Sequence, residues 1–271
     1  MEHDVEKTAA QIARYSRKGA DTWHTLMRRF LDEKEAITTT MFSPPAPFPT
    51  AAAGFAASSE GVDAYRFSMK SVRSWANQTL EAEAIRTLFG SFATFLGASP
   101  DDAGGAQLSW LFASVLQNVG NKLVKGGMHR VTLALAKDLR AHGGVIRTNA
   151  RVQRILGNTR GATAVRVNGE EIRVGRLVVS NVDPAHLVLD LLGVDMVGPE
   201  VMAKMQRYEW GDSVFVLYVA LDGPVHYKAG PAAAQSAHVH LTELSLEFLG
   251  ARLSRMSKWP SAFRTHDREL A

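Results

Sequence analysis

The sequence KGGMHRVTLALAKDLRAHGGVIRTNARVQRILGNTRGATAVRVNGEEIRVGRLVVSN, residues 125–181, decides the fold of this chain. Val131, Leu135 and Leu139 recur at helical spacing between two glycine pairs, which predicts an amphipathic helix that a glycine turn opens and a second one closes. The apolar period then shortens from 3.6 toward 2 near Gly143, which indicates strands. The predicted strands are residues 145–148, 151–156, 162–167 and 171–174.

The end of this stretch predicts a ligand-binding edge. Asn168-Gly169 stands where a two-residue type I′ hairpin turn would join two antiparallel strands. Residues 177–179 are wholly apolar, which is typical of a parallel strand buried on both faces. That strand would end at Ser180 and Asn181, and open α/β sheets bind ligands at the carboxyl ends of their strands. We therefore expect a small antiparallel sheet followed by a buried strand.

Residues 1–124 predict helices with two apolar stripes. The first stripe is Ile85, Leu88, Phe89, Phe92 and Leu96, and the second is Leu108, Leu111, Phe112, Val115, Leu116 and Val119. Such stripes usually meet in a core, which is the first interpretation. In the alternative interpretation, part of these stripes has a functional role. The proline-rich residues 43–49 predict a connector, because proline fixes φ and removes the amide donor.

Composition limits the class of protein. With 271 residues, of which 46% are hydrophobic and 21% charged, the chain is long enough for one large domain or two smaller ones. The absence of cysteine excludes disulfides, thiolate metal sites and a thiol nucleophile. Neither a leader pattern nor a long apolar run occurs, so we expect a cytoplasmic protein. The net charge of +4 is spread along the chain, which favours at most peripheral contact with an anionic membrane and no nucleic-acid partner.

The common catalytic motifs do not occur in this sequence. It contains no G-x-S-x-G elbow, H-E-x-x-H helix or P-loop. His238 and His240, with Glu243 nearby, could in principle bind a metal. Alternate residues of a strand face the same way, which is the commoner reason for such spacing, so no metal site is predicted. The sequence does not identify a catalytic residue.

Several motifs together carry a resemblance to a known family. A GGM turn at residues 126–128, a helix, GGVIRTNARVQRI at 143–155 and VVSNVDP at 178–184 occur in this order. The sequence thereby resembles the phytoene-desaturase-like branch of the FAD-dependent amine-oxidase superfamily. The resemblance implies FAD as cofactor and redox chemistry on C–C bonds of an isoprenoid or another apolar substrate. In such flavin chemistry the isoalloxazine accepts the hydride, while the protein contributes orientation and an apolar site.

The resemblance also implies an architecture and a set of site residues. The fold class is α/β, with a helical substrate or cap region at residues 1–124 and a partial FAD-binding Rossmann-like region at 125–195 that carries the antiparallel insertion. A segment of the substrate domain returns at 196–271 and has a divergent tail. The implied cofactor-binding residues are Gly127, Val152, Ser180 and Asn181, with the backbone of Val152 at the adenine. The implied substrate-lining residues are Phe89, Phe92 and Phe112.

The sequence departs from the family pattern in one important respect. A G-x-G-x-x-G turn, which holds the FAD pyrophosphate at a helix N-terminus, is absent from the 271 residues, and so is the family's closing flavin-contacting segment. We therefore expect a fragment, a split subunit or a truncated copy that does not bind FAD tightly alone. The alternative function is a non-catalytic module that binds an apolar ligand or a partner. A strand at 177–179 without neighbours would favour self-association or a partner subunit.

Overall fold

The computed structural model describes residues 4–210, 216–228, 230–234 and 236–257, with the backbone alone for 252–257. The chain divides into two compact units. The first, here called the helical unit, comprises residues 1–123 and 212–271, and the second, the sheet unit, comprises residues 124–211. Helices and a small antiparallel sheet together make this a mixed α/β chain. None of the described helices is both long and apolar enough to cross a membrane.

The helices and strands follow one another in a simple order. The first seven helices belong to the helical unit: α1 Val5–Ala13, α2 Arg17–Phe42, α3 Phe48–Ala56, α4 Ser59–Met69, α5 Val72–Thr79, α6 Glu83–Phe95 and α7 Gly105–Val119. The sheet unit has α8 His129–Ala141, β1 Val152–Asn158, β2 Gly161–Val167, β3 Glu170–Arg173, a π-helix at His186–Leu192 and α9 Val194–Gln206. The chain then returns to the helical unit with α10 Pro231–Ala234 and α11 Leu246–Ser257.

Serine and aspartate side chains begin several of these helices. The Asp4 carboxylate accepts hydrogen bonds from the backbone N–H groups of Glu6 and Lys7 at the start of α1. The Ser16 hydroxyl accepts one from Gly19 at the start of α2. Each such bond satisfies an N–H group that has no partner within its own helix. Short polar residues therefore set the boundaries of the helical unit.

An aromatic cluster forms the core of the helical unit. Trp23, Trp75 and Phe89 are buried, and the Phe89 ring lies 6.0 Å from Trp23 and 4.9 Å from Trp75 between centroids. Trp110 of α7 is also buried and lies at right angles to Phe30. Rings with these tilted and edge-on geometries attract one another in addition to the apolar area that they bury. The predicted core position of the α6 stripe is confirmed for Ile85, Phe89 and Phe92, all of which are buried, and is wrong for Leu96, which is 44% exposed at the end of the helix.

The sheet unit contains one three-stranded antiparallel sheet in the order β1-β2-β3. Val152 pairs with Val167 and Ile155 with Val165, so the strands predicted at residues 151–156, 162–167 and 171–174 are confirmed within one or two residues. Asn168 and Gly169 have φ of 49° and 85°, which confirms the predicted type I′ turn. The helix predicted between the glycine pairs is also confirmed as α8.

Two predicted strands of the sheet unit are wrong. Residues 145–148 and 177–179 have no regular structure, and the side chain of Val179 is 87% exposed where a buried strand was expected. A strand needs a neighbour that accepts and donates its backbone hydrogen bonds, and within the described part of the sheet unit neither segment has one. The helix α8 is similarly uncovered, since none of its residues is buried. The apolar pattern of these segments is real, but among the described residues of the sheet unit no paired strand covers it.

Candidate functional sites

A cleft of about 390 Å³ lies in the sheet unit, between the start of β1 and the π-helix. Arg151, Val152 and Gln153 line it from the strand, while His186, Asp190 and Leu191 line it from the helix. Ligand-binding clefts in proteins commonly begin at about 300 Å³. The cleft is therefore large enough for part of a nucleotide.

Hydrogen bonds organise the π-helix, and one of them joins it to the strand. The Asp183 carboxylate accepts a hydrogen bond of 2.7 Å from the backbone N–H of His186, as a helix cap does. The Nδ1 atom of His186 lies 2.8 Å from a carboxylate oxygen of Asp190, one helical turn further on. Arg154 of β1 donates to the backbone carbonyl of Asp190 at 3.4 Å. The cleft thus has a fixed polar wall that contains an imidazole and a carboxylate.

The glycine pair that precedes α8 leaves its backbone open. Gly126 and Gly127 have φ of 84° and 87°, in the left-handed region that side chains disfavour. At Gly127 no atom lies within 4 Å of the position that a Cβ would occupy. A ligand could therefore approach this backbone closely, as the predicted role of Gly127 requires.

The other predicted cofactor residues are placed differently. Of the four predicted cofactor-binding residues, Val152 lines the cleft beside the π-helix. Ser180 and Asn181 lie in an exposed, irregular segment, and the Ser180 hydroxyl accepts a hydrogen bond of 3.4 Å from the backbone of Val182. The strand that should have ended at Ser180 is not formed. The structure thus brings Val152, but not this pair, to the cleft, and the assignment of all four residues stays a prediction.

The residues predicted to line a substrate site divide into two groups. Phe89 and Phe92 are 1% and 4% exposed and pack in the core of the helical unit. Phe112 is half-buried and contacts Phe92 at 5.5 Å and Phe95 at 5.0 Å between ring centroids. Phe112 therefore reaches from the core to the surface, whereas Phe89 and Phe92 stabilise the fold. Their role in substrate binding remains a prediction.

The helix α7 buries the side that its sequence would place toward solvent. Its buried face carries mainly small or polar residues: Ala106, Ser109, Ala113, Ser114 and Gln117, with Trp110. The opposite face carries large apolar residues, and we call Leu108, Leu111, Phe112, Val115 and Val119 the apolar face. At 3.6 residues per turn these residues fall within about 100° of the helix circumference. Leu108, Val115 and Val119 are 37%, 40% and 55% exposed, so the interpretation of this stripe as core is wrong for these three residues. Leu111, Phe112 and Leu116 are half-buried and pack against the core, which confirms the interpretation for them.

Two imidazoles lie beside this apolar face. The Phe95 ring stacks on Phe112 of the face, and the rings of His238 and His240 each lie 6.1 Å from Phe95 between centroids. Partial burial and the neighbouring charge of His238 lower the pKa of His240. Among the residues that the structure describes, no group of three or more potential ligands could hold a metal ion. The ring contacts make the histidine pair part of an aromatic cluster with Phe95 and Phe112.

Sequence reasoning missed the residues that complete the cleft. Arg151, His186 and Asp190 gave no motif, although the spacing of His186 and Asp190 allows a contact across one helical turn. The position of the apolar face could not be recognised either, because a stripe of leucine and valine reads the same whether it is buried or exposed.

Comparison with known proteins assigns the family. The model of the flavin containing amine oxidoreductase family matches residues 13–265, and the chain belongs to this family of oxidoreductases. FAD is accordingly the cofactor of the intact enzyme. The chain is 28% identical over 154 residues to a 4,4'-diapophytoene desaturase (4,4'-diapolycopene-forming) of a Methylomonas species, a match that covers 56% of this chain and 30% of that protein.

Two further relatives are named as a desaturase and an oxygenase. The chain is 37% identical over 109 residues to the hydroxyneurosporene desaturase of Cereibacter sphaeroides, which covers 40% of this chain and 21% of the relative. It is 31% identical over 138 residues to the 4,4'-diaponeurosporene oxygenase of Staphylococcus aureus, which covers 51% of this chain and 27% of the relative. The matched part thus spans less than a third of each of these proteins.

Proposed function

We propose that this chain forms the substrate-binding side of an FAD-dependent oxidoreductase that acts on C–C bonds of an apolar isoprenoid. The apolar face of α7 is the observation that carries the proposal. Membership of the flavin containing amine oxidoreductase family favours this function over a non-catalytic binding module.

The polarity of α7 is inverted relative to an ordinary surface helix. Core-facing helices usually turn their large apolar residues inward and polar residues to solvent. Here Ser109, Ser114 and Gln117 are buried, while Leu108 and Val115 face outward. A surface of this kind gains free energy only when something apolar covers it, at about 25 cal/mol per Å². From Leu108 to Val119 the face extends about 16 Å along the helix axis, which suits an elongated hydrocarbon.

A hydrocarbon substrate requires such a surface. An isoprenoid without polar groups offers nothing for hydrogen bonding, so its affinity must come from burial. Leu108, Leu111 and Val115 would hold the chain of the substrate and exclude water from it, and Phe112 would contribute a flat wall next to Phe95. These residues would then position the bound substrate and would not transfer a proton.

The residues present in the sheet unit fit part of the cofactor. Gly127 offers open backbone, and Val152 lies on a cleft of suitable volume. When bound, FAD supplies the two-electron redox chemistry. Gly127 and Val152 would hold it, with His186 in the wall of the same cleft. We infer that the helical cap region and the Rossmann-like region implied by the resemblance correspond to the helical unit and the sheet unit.

We also propose that the protein contacts a lipid surface peripherally. Residues 36–59 contain no Asp, Glu, Lys or Arg, and within them Met41, Phe42 and Phe48 are exposed. The helix α3 in this segment is apolar and has no buried residue. Exposed aromatic side chains on an uncharged segment favour insertion at a lipid–water boundary. An apolar isoprenoid would be present in the same lipid.

A binding titration tests the proposed function. Axerophthene, a conjugated isoprenoid hydrocarbon, is added to the whole chain, and quenching of tryptophan fluorescence gives the affinity. The double variant Leu108→Asp, Val115→Asp should bind at least about tenfold more weakly, because burial of each side chain contributes roughly 1.5–3 kcal/mol. Leu133→Asp, on an exposed position of α8 in the sheet unit, is the matched control. Equal affinities of the wild type and the double variant would contradict the proposal.

A further inference from the structure

The imidazoles of His238 and His240 add polar groups to an otherwise apolar surface. Both rings contact Phe95 and lie 5.9 Å from each other between centroids. They stand two positions apart in the sequence with Val239 between them. The aromatic partners of these two rings are therefore each other and Phe95.

The chemistry of this pair suits a neutral oxygen ligand. Burial and, to a smaller extent, the proximity of His238 lower the pKa of His240, which favours the neutral form of its ring. A neutral imidazole has one N–H donor and one nitrogen acceptor, which together can serve a hydroxyl group, and the donor alone can serve a carbonyl. A carboxylate or phosphate would instead need a cation, and none of the four rings of the cluster supplies a permanent one.

The cluster is continuous with the apolar face. Phe95 is stacked on Phe112 with an angle of 29° between the ring planes, and Phe112 belongs to the apolar face. A planar conjugated ligand that lay along Leu108, Phe112 and Val115 would reach the stacked Phe112 and Phe95 rings, and the two imidazoles lie next to Phe95. The hydrocarbon part would cover apolar surface, and an oxygen atom would meet the imidazole nitrogens.

We propose that His238 and His240 bind a hydroxyl or carbonyl oxygen of a conjugated polyene whose hydrocarbon part lies on the apolar face. This inference rests on the proposed function and adds to it the chemical class of the ligand, an oxygen-bearing polyene. The two histidines act as specificity-determining residues.

A matched pair of ligands tests the inference. All-trans-retinol and axerophthene differ only by the hydroxyl group, and both quench tryptophan fluorescence on binding. The wild type should prefer retinol. The double variant His238→Phe, His240→Phe retains aromatic rings beside Phe95 but has no ring nitrogen, so its affinity for retinol should fall about tenfold, as expected for one or two lost hydrogen bonds. Its affinity for axerophthene should change less than about twofold, since burial of the hydrocarbon is unaltered.

The possible outcomes separate this inference from the proposed function. Circular dichroism first confirms that the variant is folded. If the double histidine variant loses affinity for retinol and for axerophthene equally, or if its affinity for retinol is unchanged, the histidines do not recognise the oxygen. The inference is then overturned, while the proposed apolar site stands. If the wild type binds neither ligand, the proposed function fails, and the inference fails with it. Partial recovery of retinol affinity in His240→Gln, compared with His240→Phe, would support the hydrogen bond directly.

Discussion

The indole N–H of Trp110 donates a hydrogen bond of 2.9 Å to the backbone carbonyl of Leu26. This buried bond joins α7 to α2 across 84 positions of the sequence. The guanidinium of Arg29 lies 4.4 Å from the centre of the same indole ring. Because Trp110 is anchored inward, the opposite side of α7 must face outward, and that side carries Leu108, Phe112 and Val115. One hydrogen bond thus helps to determine which surface is available for an apolar ligand.

Loss of this bond should destabilise the helical unit. Trp110→Phe removes the N–H donor and leaves a small cavity, so we expect the free energy of unfolding to fall by about 2–4 kcal/mol. Urea denaturation followed by circular dichroism measures the effect. Trp210→Phe, at an exposed position of the sheet unit, should change stability by less than about 0.5 kcal/mol. If the two variants were equally stable, the anchoring role of Trp110 would be wrong.

Local patterns in the sequence predicted local structure well. The helix α8 and the three paired strands follow from apolar period and from the Asn168-Gly169 turn, since all of these depend on residues close in sequence. Residues 145–148 and 177–179 could not be assigned in this way. Their formation as strands depends on hydrogen bonds from a neighbour, and periodicity contains no information about whether a neighbour is present.

The candidate sites show the same distinction. Val152, which lines the cleft, was predicted from the family pattern, but the approach of the His186–Asp190 pair depends on how the π-helix packs on β1. The α6 and α7 stripes look alike in sequence, yet Ile85, Phe89 and Phe92 of the first are buried while Leu108, Val115 and Val119 of the second are exposed. Tertiary contacts such as that between Trp110 and Leu26 decide between the two, and they are not visible in a helical period.

The ion pair between Arg73 and Asp101 should make stability depend on pH. The Arg73 guanidinium donates two hydrogen bonds, of 2.6 and 3.0 Å, to the Asp101 carboxylate. These bonds lower the pKa of Asp101 below its ordinary value of 3.8. A lowered pKa in the folded state means that the contribution is fully present above the unfolded-state pKa and is lost as the pH falls through the folded-state pKa.

Asp101→Asn should therefore destabilise the protein at pH 7 by about 0.5–1 kcal/mol, a modest value because both side chains are partly exposed. The difference between wild type and variant should shrink as the pH falls below about 3.8. Thermal unfolding between pH 7 and pH 3 measures it. Asp63→Asn, at an exposed ion pair on α4, is the control and should show almost no effect. A difference independent of pH would show that Asp101 acts by packing alone.

The uncovered apolar residues of the sheet unit should cause association. Leu177 and Val179 are exposed side by side on a segment whose backbone lacks a paired strand, and such edges pair readily with another chain. Leu177→Ser, Val179→Ser should lower the average mass that light scattering reports at high protein concentration. Met69→Ser, at an exposed position of the helical unit, should leave it unchanged. A wild-type chain that remains monomeric without a partner would contradict the prediction.

Residues 36–59 should carry contact with lipid. Phe42→Ser, Phe48→Ser removes two exposed aromatic side chains from the uncharged segment, so co-sedimentation with phosphatidylcholine vesicles should fall by about tenfold or more. Tyr15→Ser removes an exposed aromatic ring elsewhere in the helical unit and should have little effect. Equal vesicle binding by both variants would mean that residues 36–59 do not carry the contact. Loss of vesicle binding at high salt would assign the contact to charge instead.

Gly127 should contribute to FAD binding through its exposed backbone. Gly127→Ala places a Cβ in open space but at a φ of 87°, which costs about 1 kcal/mol of stability. Gly143→Ala is a close control, because Gly143 has a φ of 81°, open space around its Cβ position and a place at the other end of α8. Both variants should lose similar stability in thermal unfolding. FAD binding is followed by the quenching of flavin fluorescence, and the wild type should bind FAD weakly. Of the two variants, only Gly127→Ala should lower the affinity for FAD severalfold, because only there would the new methyl group stand between backbone and ligand. Equal weakening in both variants would mean that the loss reflects strain in α8, and the predicted contact of Gly127 with the flavin would then be wrong.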